Sequence, residues 1–132
     1  MTNEELLGKA KEGMRHAYAP YSKFRVGAAL LCSDGRVFTG CNVENASYGA
    51  AICAERTAIG RAVSEGCMEF ERIAVVCSAG TRAYPCGICR QVMAEFMPKG
   101  QVVLEDEKEG IIEYSVEELL PGAFSRKDLI HE

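Results

Sequence analysis

Residues 26–39 read VGAALLCSDGRVFT: two apolar runs, Val26 to Leu31 and Val37 to Thr39, on either side of Ser33-Asp34-Gly35-Arg36. Asp-Gly between strand-like runs is a strong turn signal, because glycine adopts the left-handed backbone that a tight reversal requires. The stretch therefore predicts an antiparallel hairpin, and the rest of the chain must be arranged around it.

Upstream, Thr2 or Asn3 can cap a helix whose Leu6, Leu7, Ala10, Met14 and Ala17 recur at helical spacing, with Pro20 as its expected stop. Downstream, after a polar loop from Cys41 to Gly49, Ala54, Ala58, Ile59, Ala62 and Val63 predict a second helix from Cys53 to about Glu65, ending near Gly66. Ile73 to Cys77 is a β-branched, apolar run of strand length. Pro85 then precedes a third helical pattern, Ile88, Val92, Met93 and Phe96, closed by Pro98. Val102 to Leu104 and Ile111 to Tyr114 predict two short strands, and Ser115 with Glu118 resembles a capping box opening a last short helix. Helices alternating with strands after an initial hairpin predict an α/β fold: a mixed sheet with helices on both faces.

At 132 residues, 48% of them apolar, the chain is expected to form one domain spanning residues 1–132. Fifteen basic against nineteen acidic residues give a net charge of −4 with no block of Lys or Arg, which argues against a nucleic acid polymer as partner. No apolar run approaches the roughly 20 residues that cross a bilayer, and the amino-terminal segment reads as a charged amphipathic helix. The expectation is a soluble, cytoplasmic protein that makes no use of a membrane.

Seven cysteines, an odd number, fit metal binding or buried thiols better than disulfides. Cys86 and Cys89 stand three apart directly after Pro85, so both sulfurs can share one face of a helix's first turn. Helix N-termini carry unpaired N–H groups and partial positive charge, which favour thiolate over thiol. Cys53 also begins a predicted helix and is the best third ligand. Cys32, Cys41, Cys67 and Cys77 read as packed or idle thiols; His16, on the polar side of the first helix, and His131, near the chain's end, read as solvated. Three protein ligands without a fourth is the pattern of a catalytic zinc with an open position.

Glu55 follows Cys53 by two residues, a spacing that lets the two share a pocket only where a helix's first turn leaves room. If they do, the carboxylate can take a proton from an activated water. Three thiolates and one Zn²⁺ sum to −1, which calls for compensation, and Arg56 is placed to hydrogen-bond the sulfurs.

Cys53-Ala54-Glu55 with Pro85-Cys86-Gly87-Ile88-Cys89 matches the zinc deaminase signature. Together with residues 18–24 (YAPYSKF), 26–29 (VGAA), 42–48 (NVENASY), 53–58 (CAERTA), 85–91 (PCGICRQ) and 119–124 (LLPGAF), it resembles the small homotetrameric cytidine deaminases over nearly the whole chain. The resemblance implies a mixed five-stranded sheet in an α/β/α sandwich, one Zn²⁺ per subunit, and hydrolytic deamination of cytidine and 2′-deoxycytidine in pyrimidine salvage. By the same resemblance Asn42 and Glu44 hold the ribose 3′-hydroxyl, Phe24 packs on the pyrimidine, and Tyr48 and Phe124 serve a neighbouring subunit's site, so that active sites are shared in a homotetramer. Glu55 would carry a proton from water to ring N3 and another to the leaving amine.

Three alternatives stand beside this reading. Deaminases of the cytosine-bearing antibiotic blasticidin S share the metal signature and differ where the sugar is held. A polynucleotide-editing deaminase would need a basic surface, and Glu44 would oppose a nearby phosphate. A structural zinc module would close the site with a fourth thiol, such as Cys41 or Cys77.

Overall fold

The computed structural model describes residues 1–130, so His131 lies outside the described residues. The hairpin forms as β1 (Val26–Cys32) and β2 (Val37–Cys41), antiparallel, with Leu31 opposite Val37 and Gly27 opposite Cys41. Gly35, at φ 94°, turns the chain between them. β3 (Phe70–Cys77) pairs antiparallel with the other edge of β1, β4 (Gln101–Asp106) runs parallel to β3, and β5 (Gly110–Ser115) closes the far edge antiparallel. The five strands stand in the order β2-β1-β3-β4-β5, a mixed sheet as the alternation of elements predicts.

The period-two alternation of the central strands builds two cores. Ala29 and Leu31 of β1, Ala74 and Val76 of β3 and Val103 of β4 face α1 (Asn3–Met14), which buries Leu6, Leu7 and Ala10 against them. Ala28, Leu30 and Cys32, with Ile73, Val75, Val102 and Leu104, face the opposite side. There they meet Ala54, Ala58, Ile59 and Ala62 of α2 (Ala54–Ser64), and Cys89 and Met93 of α3 (Gly87–Phe96). The layers are helix, sheet, helix. Each fully buried leucine contributes about 1.5–3 kcal/mol.

Two glycines set the close approach of helices to sheet. A Cβ on Gly27 would run into the Ala10 carbonyl of α1, and one on Gly40 would lie 2.5 Å from both the Ala54 carbonyl and the Ala58 amide of α2. α2 therefore sits down on β2 because residue 40 has no side chain, and its first turn is drawn toward the end of the hairpin.

α1 stops earlier than its apolar spacing predicts. Thr2 and Glu5 form a full capping box at its start, but the helix ends at Met14 rather than running to Pro20, and His16 lies in the turn beyond it, not on a helix face. Ala17 fits the helical period, yet the chain leaves the helix so that Tyr18 can bridge Val43, its amide donating to the Asn42 carbonyl at 3.0 Å. A tertiary pairing overrides the local period. The other elements begin and end within a few residues of expectation, and Ser115 with Glu118 does form a capping box, opening α4 (Val116–Leu119). A final short helix, α5 (Arg126–Leu129), carries no apolar periodicity that would announce it.

Candidate active site

The crossover from β3 through α3 to the parallel β4 places the start of α3 just past the carboxyl end of β3, the position where open α/β sheets hold ligands. The hairpin brings the start of α2 to the same place. Cys53 is the N-cap of α2 (φ −74°, ψ 155°) and Cys86 the N-cap of α3 (φ −70°, ψ 170°), so two helix N-termini converge with a cysteine at each mouth. Cys89, one turn into α3, completes the group. The sulfurs lie 3.8 Å apart from Cys53 to Cys86 and 3.6 Å from Cys86 to Cys89.

All three sulfurs fall within 4.8 Å of one another, and among the described residues no other Cys, His, Asp or Glu joins them at that spacing. Cys77 instead gives its thiol proton to the Thr81 carbonyl at 3.3 Å, and neither it nor Cys41 belongs to the group, so a closed four-sulfur site is not what these residues build. The donor set fits zinc: three soft sulfur ligands, pre-clustered, with the partial positive charge of two helix ends behind them. Cys53 is pulled down to about 5 by the hydrogen bond from Cys89, helped by those from Arg56 and Cys86. Cys89, hydrogen-bonded to Cys53 and buried beside Glu55, is pushed up.

Arg56 stands against the thiol cluster. Its Nη2 donates to the Cys53 sulfur at 3.7 Å and to the Ala51 carbonyl at 3.4 Å, while its Nε is buried with no partner. The hydrogen bond to Cys53 in turn raises the guanidinium's own affinity for its proton.

Glu55 meets the geometric condition that its spacing imposed. Because Cys53 is the cap and not yet in helical geometry, its side chain and that of Glu55, the second residue of α2, open into one cleft. Glu55 is the one buried charged side chain among the described residues, 4% exposed, and burial pushes it up to about 7. The cleft encloses about 420 Å³, and Phe24, Asn42, Glu44, Cys53, Glu55 and Cys86 all line it.

Asn42 and Glu44 are fixed by the loop they hold. The Asn42 side-chain Oδ1 accepts from the Val26 amide and its Nδ2 donates to the Phe24 carbonyl, both at 2.8 Å, which ties the strand start to the cleft wall. Glu44 accepts from the amides of Tyr21 at 3.0 Å and Ser22 at 3.2 Å, and from the Ser22 hydroxyl. These bonds, the hydroxyl's first, hold its carboxyl below the usual range. Lys23, between Ser22 and Phe24, takes a left-handed backbone (φ 61°) and delivers Phe24 to the wall.

Tyr48 and Phe124 do not reach this cleft. Tyr48, 83% exposed, borders a separate depression with Tyr21, Ser22 and Glu44, and Phe124, 57% exposed, lies near the carboxyl end of the described chain. Two polar lining residues are not announced by the sequence, Arg82 and Tyr84. Arg82 pairs with Glu109 at 3.3 Å, and Tyr84 meets the Tyr114 hydroxyl at 3.1 Å. Their place in the loop between β3 and α3, upstream of Pro85, was the available signal.

A family model described as the cytidine and deoxycytidylate deaminase zinc-binding region matches residues 1–105. A cytidine deaminase of Sporosarcina psychrophila is 50% identical over 133 aligned residues, covering 98% of this chain and 96% of the relative. The crystal structure of cytidine deaminase from Burkholderia pseudomallei superposes with a TM-score of 0.89 at 50% identity, covering 94% of this chain and 100% of that one. At greater distance, a blasticidin-S deaminase of Bacillus cereus is 30% identical, covering 92% of this chain and 91% of the relative. With three clustered thiols beside a cleft that a buried carboxyl lines, and a match of this extent around them, the chain belongs to the cytidine and deoxycytidylate deaminase zinc-binding family.

Proposed function

We propose that the protein, acting as one domain over residues 1–132, hydrolyses cytidine and 2′-deoxycytidine to uridine and 2′-deoxyuridine with release of ammonia. The observation that carries this reading is the buried Glu55 opening into the same cleft as Cys53 and Cys86, with the Cys89 sulfur within 4.8 Å of theirs. Cys53, Cys86 and Cys89 hold Zn²⁺, which when bound supplies Lewis-acid activation of water.

Glu55 is the proton carrier. Its carboxylate takes a proton from the attacking water and gives it to ring N3, which makes C4 electrophilic, and the resulting hydroxide adds to C4. The carboxylate then takes the proton of the new C4 hydroxyl and passes it to the exocyclic amine, so that the C4–N bond breaks and ammonia leaves as the C4 carbonyl forms. Its burial supports the double role, since a desolvated carboxyl binds and releases a proton near neutral pH. Arg56 offsets the thiolate charge. Phe24 packs on the base, and Asn42 and Glu44 bind the sugar 3′-hydroxyl. Both keep capacity for this: the amide has a second hydrogen, and the carboxylate has more acceptor sites than its three bonds occupy.

Exposed Tyr48 and Phe124, set away from their own chain's cleft, support a homotetramer in which they complete a neighbour's site. We place the enzyme in pyrimidine salvage in the cytoplasm; no helix among the described residues is long and apolar enough to cross a membrane. Glu44 at the sugar end supports free nucleosides over polynucleotides, whose phosphates it would repel.

An absorbance assay of cytidine, 2′-deoxycytidine and blasticidin S, on protein with quantified zinc, tests the reading. Turnover of the nucleosides at about one zinc per chain is expected. Preferential turnover of blasticidin S would replace the substrate assignment, and bound zinc with no deamination would leave a structural metal module.

A further inference from the structure

At the end of β1 and α2 remote from the cleft, a second pair of thiols meets. Cys32 ends β1, and Cys67 follows Gly66 in the turn after α2; they are 1% and 5% exposed. Sheet pairing brings them together, with Cys32 in register with Phe70 and the Ser33 amide donating to the Glu69 carbonyl at 2.9 Å. The two sulfurs and a carboxylate oxygen of Asp34 lie within 4.8 Å of one another.

The surroundings distinguish the two thiols. Arg36 Nη2 lies 3.0 Å from the Cys67 sulfur, while its Nε holds Asp34 at 2.9 Å and its guanidinium stands 5.6 Å over the Phe38 ring. The Asp34 oxygens are 3.7 and 3.9 Å from the same sulfur. A carboxylate can take the proton of the Cys67 thiol as it attacks, and the guanidinium can offset the charge that builds on sulfur. A surface depression lined by Asp34, Arg36, Gly66 and Cys67 gives small reagents a way in. Cys32 lies behind, and burial pushes its thiol up to about 12, so it is not the first to react. The same three groups could ligate a cation, but Arg36 already stands where a dication's charge would have to be accommodated.

We propose that Cys67 and Cys32 form a hydroperoxide-sensitive thiol pair, in which Cys67 reacts first and Cys32 resolves it into a reversible intrachain disulfide. Cys67 sulfur attacks the peroxide, the O–O bond breaks, and Cys67 becomes a sulfenic acid as the peroxide is reduced to water, the thiol proton leaving through Asp34. Cys32 sulfur then attacks that sulfur, the S–O bond breaks, and a second water departs with the Cys32 proton. Dithiol reductant reverses the product. The pair lies about 20 Å along β1 from the cleft, so the chemistry is independent of the zinc thiols.

The zinc-loaded protein is treated with hydrogen peroxide, its remaining thiols are alkylated, and it is digested without reduction for mass spectrometry. The expected product is a peptide pair linked through Cys32 and Cys67, short by two hydrogens and lost on reduction. Cys32→Ser should leave Cys67 as a sulfenic acid that dimedone traps. Arg36→Gln should slow the oxidation about tenfold without changing cytidine turnover. Recovery of Cys32 and Cys67 as separately alkylated peptides, coupling of Cys67 to a zinc ligand, oxidation of Arg36→Gln at the unaltered rate, or a second zinc equivalent that blocks the reaction would each overturn the proposal. The wild-type peptide map decides the question even if a variant fails to fold.

Discussion

Arg56 and Cys53 are three residues apart at the start of one helix, and the guanidinium turns back to donate to the sulfur at 3.7 Å. The cap position makes this possible: Cys53 stands outside helical geometry, so its sulfur lies within reach of the side chain one turn later. The cluster of three sulfurs thereby has a positive charge from its own helix beside it.

Removing that charge should slow the enzyme without emptying the site. Arg56→Ala is expected to keep zinc and lose about 10–100-fold in kcat, with the rate rising toward more alkaline pH because the activated water becomes less acidic. Metal analysis and a pH–rate profile check it; an unchanged profile would leave Arg56 a packing residue.

Glu55→Gln keeps the shape and the thiols and loses the proposed proton carrier. Zinc content should be unchanged while kcat falls about 10²–10⁴-fold. The comparison needs metal quantified on both proteins, and near-normal turnover of the variant would sink the assigned role.

Gly40→Ala tests the seating of α2. The new methyl meets two backbone atoms of the helix at 2.5 Å, and neither can rotate away, so a loss of about 1–3 kcal/mol is expected in denaturant unfolding, with weakened zinc retention as Cys53 moves. Gly60→Ala, in the same helix with nothing within 4 Å, should instead stabilise by about 0.5–1 kcal/mol.

The loop that Glu44 holds should resist acid. Its carboxyl is lowered from 4.5 by the Ser22 hydroxyl and the Ser22 and Tyr21 amides, so its contribution is complete above pH 4.5 and is lost as pH falls below that through the folded value. Amide exchange at Tyr21 and Ser22, corrected for intrinsic rates, should stay slow from neutrality down to about pH 4.5 and quicken only below it. Glu44→Gln should show fast exchange at all pH values.

Phe124→Ala should raise KM several-fold with little change in zinc, because the ring is proposed to serve a neighbour's cleft rather than its own. Light scattering alongside kinetics separates a lost contact from a dissociated assembly. A KM unchanged in an intact oligomer would remove Phe124 from the site.

The hairpin, three main helices, later strands and the capping box at Ser115 were legible because each rests on short-range chemistry: a two-residue turn, an apolar period, a cap. Cys86 and Cys89 were legible for the same reason, their spacing being that of one helical turn. The end of α1 was not, since Ala17 keeps the period while Tyr18 is claimed by Val43, more than twenty residues downstream. Arg82 and Tyr84 were missed because a loop residue's approach to a cleft depends on which strand the loop follows in space.

Residue types and their spacing thus determined by themselves the fold class, the two cysteines of one helix turn, and the need for a positive charge beside three thiolates. Tertiary structure alone decided that Cys53, thirty-three positions from Cys86, stands 3.8 Å from it, and that Glu55 shares their cleft instead of pointing away. It also set Cys32 against Cys67, which sequence spacing presents as idle thiols. The reason is physical: local backbone preferences act over a turn or two. The meeting of helix ends and strand ends is set by which apolar faces bury together, and here by a Gly40 small enough to let α2 settle on the sheet.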